Sequence, residues 1–475
     1  MKKYIWLIVI IFIAILLRLL LITSIQGTSG GDAFEFLLIA KRIISFENPF
    51  LDVKRLPFFP ITLIPSYFLN IDGIMWGRIV NTIFAGLSLY YMYLIGDKFK
   101  ISKFLNYLSL ILFTFSSVYL FYSLRPLSSS LFTLLFLSSI YYTLESKKTS
   151  ILFAFTSLGL LSMTRHEGFL ISLIIFLYYF WSTKRKDLIV KFSKPCLIYL
   201  ILVLPFFLNN YIYHKNFLYL GYLDDGGGLY IPKNYENLAS NLKIMSFAIY
   251  STWGNIRIFK TNINLLNILF SSTVIFIALG LIDYLKKINK QKMLALILLI
   301  SQLIIALWFQ PSGRYIQHLT PFLSTLLLLG ISKFSKVILP ILITGALVTT
   351  SLYTVKLKID EFNFDTKGQK EFTDSIKYLK VRSGIVAIEP DRDYTQSYIA
   401  KYYLGDSRIK FIGGDFLGRG LIDSNPRSQI NWLQSENVKY IVDSPKFDDF
   451  TFLGDNRYQG QFIIKTNYVY EVIKK

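Results

Sequence analysis

Cysteine and histidine are scarce in this 475-residue chain, which has one cysteine and three histidines. The single cysteine, Cys196, excludes a disulfide bond within the chain. The histidines are His166, His214 and His318, and no two have the short spacing of zinc ligands on a helix. Glycine-rich phosphate loops of the Walker or dinucleotide type are also absent, so the sequence offers no evident cradle for a nucleotide.

Acidic residues are few relative to basic ones, 30 against 51, which gives a formal net charge of +21. This charge does not indicate nucleic-acid binding, because the lysines cluster in short loops between apolar runs. Hydrophobic residues make up 53% of the chain and aromatic residues 17%, and the mean hydropathy is +0.46. Such a composition excludes an ordinary soluble enzyme and predicts a membrane protein with several spans.

Apolar runs long enough to cross a bilayer recur along the first three quarters of the sequence. With the N-terminus in the cytoplasm, basic residues are roughly four times denser in the inner loops than in the outer ones, as the positive-inside rule requires. The first run lacks a small-residue cleavage pattern and is expected to be a retained helix. The eleven predicted spans are 4–22, 74–96, 104–122, 126–144, 150–163, 167–181, 195–213, 262–284, 292–309, 316–331 and 337–354.

The predicted fold is therefore a polytopic α-helical membrane protein of about eleven transmembrane helices, followed by a small α/β domain. Leu56–Leu69 is apolar but short and contains three prolines, so we expect a juxtamembrane or re-entrant helix on the outer face. The transmembrane domain covers residues 1–354, with long outer loops at 23–73 and 214–261. Residues 355–475 form the α/β domain, which this topology places outside the cytoplasm.

The C-terminal segment alternates strand-like and helix-like patterns and has no further apolar span. The predicted elements are a strand at Gly384–Ile388, a helix at Thr395–Tyr403, a strand at Ile409–Ile412, a helix at Arg427–Ser435, a strand at Val438–Val442 and a closing pair between Gln461 and Ile473.

Two carboxylates follow the first span, in Gly31-Asp32-Ala-Phe-Glu35-Phe36. If Ala33–Ser45 is helical, Asp32 and Glu35 occupy neighbouring positions at its start. One interpretation is that they only charge a helix N-terminus, where the dipole favours acids. The other is that they act as acid/base or metal groups at the membrane boundary.

Arginines occur at the outer ends of several predicted spans, where the positive-inside rule disfavours them. Each could reach the lipid headgroups as an anchor. Several on one side are more typical of a site for phosphate, which arginine binds through paired hydrogen bonds. The residues concerned are Arg78, Arg125, Arg165 and Arg314.

Five short motifs follow one another over residues 1 to about 335. In chain order they are Asp32-Ala-Phe-Glu35, Leu56-Pro-Phe-Phe-Pro60, Gly77-Arg78-Ile-Val-Asn81, Thr164-Arg-His-Glu-Gly168 and Arg314-Tyr315 with Pro321. Their order resembles that of the C-type membrane glycosyltransferases. The most similar group is that of the protein O-mannosyltransferases and aminoarabinose transferases, which use polyprenyl-phosphate-linked sugars.

This resemblance implies an inverting transferase that moves one sugar from a polyprenyl-phosphate donor of the dolichyl or undecaprenyl type. The acceptor, a lipid, glycan or protein, lies on the non-cytoplasmic side of the cell membrane. Asp32 is the expected general base and Glu35 the candidate second carboxylate. Arg165, Arg314, Tyr315 and Arg125 are expected to bind the donor phosphate, and the supporting candidates are Arg78, His166 and Glu167. Independently of the resemblance, Asp224 and Asp225 precede three glycines and are candidates to bind a sugar hydroxyl or a cation; the alternative is a mobile loop tip.

Several alternatives stay open at the level of sequence. Many relatives have an Asp-Glu pair in the first loop, whereas Ala33 follows Asp32, so Glu35 either supplies the second carboxylate or that role is absent. The Trp-Trp-Asp-Tyr-Gly hallmark of oligosaccharyltransferases is missing, which argues against transfer of an oligosaccharide to asparagine. No metal site is predicted, although a divalent cation on the carboxylates is an open alternative. The competing function is a flippase for lipid-linked glycans, for which charged residues within the spans would be typical.

Overall fold

The computed structural model describes residues 4–27, 30–50, 55–145, 147–183, 185–217, 219, 245, 249, 252–253, 264–286, 288–309, 316–388, 395–411, 426–442, 462–466 and 468–473. The chain forms two compact units. The first comprises Met1–Ile22 and Phe46–Ile359, and the second comprises Thr23–Ser45 and Asp360–Lys475.

All the regular secondary structure in the described residues of the first unit is helical. Its helices, in chain order, are α1 Ile5–Ser24, α3 Phe58–Leu63, α4 Pro65–Phe68, α5 Gly73–Lys98, α6 Lys103–Thr114, α7 Ser117–Ser123, α8 Ser129–Glu145, α9 Lys148–Ser162, α10 Glu167–Ser182, α11 Arg185–His214, α12 Asn264–Lys286, α13 Lys290–Phe309, α14 Thr320–Ile331 and α15 Ile338–Asp365. The helix α2, Gly31–Ile44, belongs to the second unit, into which the ends of α1 and α15 also extend.

Four helices in the described ranges are long and apolar enough to cross a membrane: Ile5–Ser24, Gly73–Lys98, Val190–His214 and Ile338–Phe364. A fifth span results if α6 and α7, which meet at an angle of 55°, are counted together. The chain is therefore a polytopic helical membrane protein by length and composition. The total of eleven spans stays a prediction.

Three spans differ from their predicted form. The span expected over 195–213 lies in the longer helix α11, which begins at Arg185. The third span, expected as one helix over 104–122, is broken at Phe115–Ser116, and Ser116 caps the second half by accepting a hydrogen bond from the Tyr119 N–H. The helix of the last span, expected to end at residue 354, continues to Asp365, because no proline or glycine interrupts residues 346–365. The segment 56–69 forms the short helices α3 and α4, and the second begins at Pro65.

Helices α12 and α14 approach each other closely enough for their backbones to touch. A Cβ atom built on Gly280 would lie 1.8 Å from the Leu326 carbonyl oxygen, and one on Gly330 would lie 1.9 Å from the Phe276 carbonyl oxygen. Only glycine at both positions permits this approach. The contact adjoins a buried apolar cluster that includes Leu323, Leu326 and Leu327.

In the part of the chain that the structure describes, the second unit is built around a mixed five-stranded sheet. Its strands are β1 Ile385–Ile388, β2 Ile409–Phe411, β3 Val438–Val442, β4 Phe462–Thr466 and β5 Val469–Val472, in the order β2-β1-β3-β5-β4. Strands β2, β1 and β3 are parallel, and β5 runs antiparallel to both β3 and β4. The helices of this unit are α2, α16 Lys367–Lys380, α17 Thr395–Leu404 and α18 Pro426–Ser435.

Burial and sequence pattern agree in this unit. The run Val-Lys-Tyr-Ile-Val of β3 buries Val438, Ile441 and Val442, and it has the bounds that its pattern predicts. The other predicted strands and helices of the segment appear within a few residues of their expected ends. The connection from β1 to β2 contains α17, as parallel pairing requires.

Candidate active site

The predicted carboxylates lie in the first turns of α2. The residue before this helix, Gly30, has a φ of 77°, which glycine adopts without strain. Asp32 is half-buried in the first turn, where the positive end of the helix dipole stabilises its charge. Glu35 is only 6% exposed, and it accepts a hydrogen bond of 3.5 Å from the Tyr398 hydroxyl on α17. The two carboxylates therefore share one helix but have different surroundings.

The motif Gly77-Arg78-Ile-Val-Asn81 organises a turn in the first unit. A Cβ on Gly77 would lie 2.5 Å from Cβ of Pro126, so glycine lets the turn between α7 and α8 approach α5. One helical turn later, the Asn81 amide donates hydrogen bonds to the carbonyl oxygens of Arg125 and Leu127, the latter at 2.9 Å. The motif thus fixes the backbone that carries Arg125.

The side chains of Arg78 and Arg125 are near enough to interact electrostatically, and Asp72 offsets part of this positive charge. Arg78 is 6% exposed. Asp72 caps α5 by accepting hydrogen bonds from the Ile74 and Met75 N–H groups at 3.0 and 3.1 Å. Two arginines whose charges interact repel each other, and an anion bound by both would relieve that repulsion.

Arg165 and Glu167 form an ion pair at the start of α10. The distance from Nη2 of Arg165 to Oε1 of Glu167 is 2.7 Å, and Nε lies 3.4 Å from Oε2. The guanidinium carbon lies 5.3 Å from the centre of the Phe132 ring. Gly168 makes this turn tight, because a Cβ there would lie 2.6 Å from the backbone of Leu161. Glu167 therefore orients Arg165 from two residues away.

Two histidines flank this turn. His318 packs edge-on against Phe132 with ring centres 5.1 Å apart, and its Nε2 lies 3.1 Å from Oε1 of Gln302. His166, the residue after Arg165, contacts Phe206 at 5.8 Å between ring centres. Sequence reasoning named His166 but gave no role to His318 or Gln302, which become neighbours of the Arg165 turn only through folding.

Arg18 is a buried cation that sequence reasoning did not use. It lies inside α1 and is 1% exposed. Its side chain donates hydrogen bonds to Oγ of Ser123 at 2.8 Å, to the Ala14 carbonyl at 3.1 Å and to the Thr114 carbonyl at 3.4 Å. It therefore bonds the end of α6 and the end of α7, on both sides of the break between them. An arginine within an apolar run was the available sequence signal.

The other side of the same break is held by Thr252 and Trp253. The Ser117 N–H donates to the Thr252 carbonyl at 2.9 Å, and the Trp253 indole N–H donates to the Leu112 carbonyl at 3.0 Å. Backbone groups that the bend frees are thereby satisfied within the protein, as the interior of a bilayer requires. The hydrogen bonds of Arg18 thus give the charge within the first span a structural role.

The structure brings the candidate residues together as three local groups: Asp32 with Glu35, Arg78 with Arg125, and Arg165 with His166 and Glu167. Arg314, Tyr315, Asp224 and Asp225 lie outside the described residues. Within the described ranges, no group of three or more histidine, cysteine or carboxylate side chains is arranged to hold a metal ion.

The comparisons with known proteins support the resemblance at the level of fold. No family model matches the chain, and no curated protein matches it by sequence. Among solved structures, the chain is similar to ArnT from Cupriavidus metallidurans bound to undecaprenyl phosphate, with a TM-score of 0.57 and 10% identity over 98% of both chains. The apo structure of the same protein gives a TM-score of 0.59 at 10% identity, over 99% of this chain and 98% of that one. Over nearly its whole length, the chain therefore has the fold of ArnT, which agrees with the resemblance that its motifs indicate.

Proposed function

We propose that this protein is an inverting glycosyltransferase that takes one sugar from a polyprenyl-phosphate donor. The observation that carries the proposal is the whole-length similarity in fold to a transferase structure that contains undecaprenyl phosphate. The motif order in the sequence supports it independently, because it resembles the same group without reference to coordinates. The acceptor is a lipid, glycan or protein on the non-cytoplasmic side.

Asp32 is the proposed general base. It accepts the proton of the acceptor hydroxyl, whose oxygen then attacks the anomeric carbon while the bond to the phosphate oxygen breaks. Direct displacement of this kind inverts the anomeric configuration. Half-burial in the first turn of a helix supports this role, because the helix dipole favours a negative charge there and the side chain stays partly accessible.

Arginines are proposed to bind the departing phosphate. Arg78 and Arg125 supply two positive charges that interact electrostatically, and their mutual repulsion favours an anion. Arg165 is a further proposed ligand, with its guanidinium plane fixed by Glu167. Arg314 and Tyr315 keep the phosphate-binding role that the sequence resemblance gives them. Preorganised cations of this kind stabilise the charge that develops on the leaving group.

The remaining assignments complete the proposal. The transmembrane domain, residues 1–354, is proposed to bind the donor, and residues 355–475 are proposed to bind or orient the acceptor outside the cytoplasm. Asp224, Asp225 and His166 are proposed to support the loops around the site. No cofactor is required by this chemistry, and a divalent cation on the carboxylates would be an addition to it.

The decisive experiment measures sugar release by the purified full-length protein in nanodiscs. The probes are undecaprenyl-phosphate-linked and dolichyl-phosphate-linked hexoses and pentoses, each with a labelled sugar, together with an extract of membrane glycans as acceptor. We expect one donor class to be consumed and the Asp32→Asn variant to lose about 10²–10⁴-fold in rate, as is typical when a general base is removed. The matched control is Glu47→Gln, which changes an exposed carboxylate before α3.

Two results would contradict the proposal. Consumption of a nucleotide sugar, with every polyprenyl-phosphate sugar left intact, would exclude the proposed donor. Movement of a lipid-linked sugar across a liposome membrane by both the wild type and Asp32→Asn, without any transfer, would indicate a flippase.

A further inference from the structure

Helix α2 is part of the C-terminal unit, although it is encoded in the first tenth of the chain. The segment Thr23–Ser45 forms one compact unit with Asp360–Lys475, and α2 packs against α17. The proposed base Asp32 is therefore attached to the α/β unit. This assignment raises the question of which contacts hold α2 in place there.

The first contact is an aromatic cluster. Phe34 is fully buried, and its ring centre lies 5.7 Å from that of Tyr402 and 6.3 Å from that of Tyr403. The two tyrosines are themselves 4.8 Å apart, and the Lys377 ammonium lies 5.4 Å from the Tyr403 ring centre. Phe34 follows Asp32 by two positions, so this cluster restricts rotation of the turn that carries the base.

The second contact is polar and lies beside the first. Tyr398 precedes Tyr402 by four residues, so both lie on the same face of α17. The Tyr398 hydroxyl donates to Oε1 of Glu35 at 3.5 Å, and Glu35 is 6% exposed. A buried carboxylate is retained only with partners that compensate its lost hydration. Glu35 is thus placed to hold the helix, whereas Asp32 has the more open position.

The third contact fixes the chain just before α2. The side-chain amide of Asn363 donates to the Ser24 carbonyl at 2.8 Å, and its oxygen accepts from the Gln26 N–H at 2.9 Å. Gly27 packs closely against Thr366, since a Cβ built on this glycine would overlap the threonine Oγ1. The entry to α2 is therefore attached to the end of α15.

We propose that Tyr398 and Glu35 are positioning residues that set the orientation of the first turn of α2, and hence of Asp32. This inference rests on the proposed role of Asp32 as the base. A proton acceptor works only within hydrogen-bond reach of its substrate, about 2.6–3.2 Å between heavy atoms. Because rotation of α2 by a fraction of a turn would move Asp32 out of this range, the Tyr398–Glu35 contact controls turnover without touching substrate.

The test uses Tyr398→Phe in the full-length protein, with Tyr378→Phe as the matched control. Both changes remove one hydroxyl from a helix of the same unit. Tyr378 lies on α16, and its ring centre is 3.5 Å from the guanidinium carbon of Arg382. We expect Tyr398→Phe to lower kcat for release of undecaprenyl phosphate from its sugar-linked form by about three- to tenfold, with an unchanged KM for that donor. Glu35→Ala should behave similarly, and Glu35→Gln should keep more activity because its amide oxygen still accepts the hydrogen bond.

Hydrogen exchange supplies a readout that does not depend on catalysis. Amides of residues 31–44 should exchange about five- to tenfold faster in Tyr398→Phe than in the wild type or Tyr378→Phe, as expected when one hydrogen bond of modest strength is lost. A merely general loss of stability would instead accelerate exchange in the β-sheet as well.

The outcomes separate the two proposals. If Asp32→Asn is inactive while Tyr398→Phe has wild-type kcat and wild-type exchange over residues 31–44, the positioning role is overturned and the proposed function stands. If Asp32→Asn retains full turnover, the proposed base is wrong, whatever the exchange data show about the contact.

Discussion

The close approach of α12 and α14 gives a stability prediction with a built-in control. A methyl group on Gly280 would have to move from 1.8 Å to at least 3.0 Å from the Leu326 carbonyl oxygen, which is the shortest separation that real Cβ atoms show. The obstacle is backbone, so no side chain can rotate away, and the helices must separate by about 1 Å or more. The same argument applies to Gly330 and the Phe276 carbonyl.

The expected free-energy change is a balance of two effects. Overpacking of a well-packed interface costs about 1–3 kcal/mol, and a backbone obstacle places Gly280→Ala near the upper limit. Replacing a helical glycine by alanine returns about 1 kcal/mol through helix propensity. The net loss is therefore about 2 kcal/mol, roughly a thirtyfold change in the unfolding equilibrium.

Equilibrium unfolding in detergent micelles, followed by tryptophan fluorescence, measures this difference. The control is Gly345→Ala in α15, where an added Cβ has no atom within 4 Å. This variant should be as stable as the wild type or more stable by up to about 1 kcal/mol. If Gly280→Ala unfolds at the same denaturant concentration as Gly345→Ala, the backbone contact between α12 and α14 is not present in the protein.

Three further changes test the first unit. Arg18→Met should lower the free energy of unfolding by about 1–3 kcal/mol, because it removes the bonds that hold the break between α6 and α7; an unchanged unfolding midpoint in the same assay would refute this role. Arg165→Ala should reduce donor turnover by about tenfold or more, and Arg165→Lys should recover only part of it because lysine lacks the planar fork; wild-type activity of Arg165→Lys would indicate a simple anchor. Asn81→Ala should lower donor turnover, because it removes the hydrogen bonds to the turn that carries Arg125, and it should leave the aggregation state of the donor-free protein nearly unchanged. Wild-type kinetics would show that other contacts fix the turn.

Periodicity and topology rules predicted those features that depend on local pattern. The run Val438–Val442 is a strand because it is rich in β-branched and aromatic residues, which are buried, and α2 starts at the acidic turn where a helix dipole favours Asp32. The candidate arginines could also be identified from the sequence, because the positive-inside rule disfavours arginine at the outer end of a span.

Features that depend on distant residues were not predictable in this way. The break at Phe115–Ser116 is stable because Arg18 and Trp253 supply bonds to freed backbone groups, and neither residue is near the break in sequence. Likewise, the pattern around Glu35 gives no indication of Tyr398, which follows it by 363 residues. The close contact of Gly77 with Pro126 gives the physical reason for glycine in the Gly77-Arg78 motif, which the sequence alone could only match to relatives.

The discontinuous second unit has a consequence for biosynthesis. Helix α2 leaves the ribosome early, but its packing partner α17 begins roughly 350 residues later. At typical synthesis rates of about 5–20 residues per second, α2 waits roughly 20–70 s before α17 exists. During that interval Phe34 and Glu35 have no native neighbours on α17, and Asp32 cannot be held in its final orientation. An interrupted chain would therefore insert its spans without forming the contacts that hold α2.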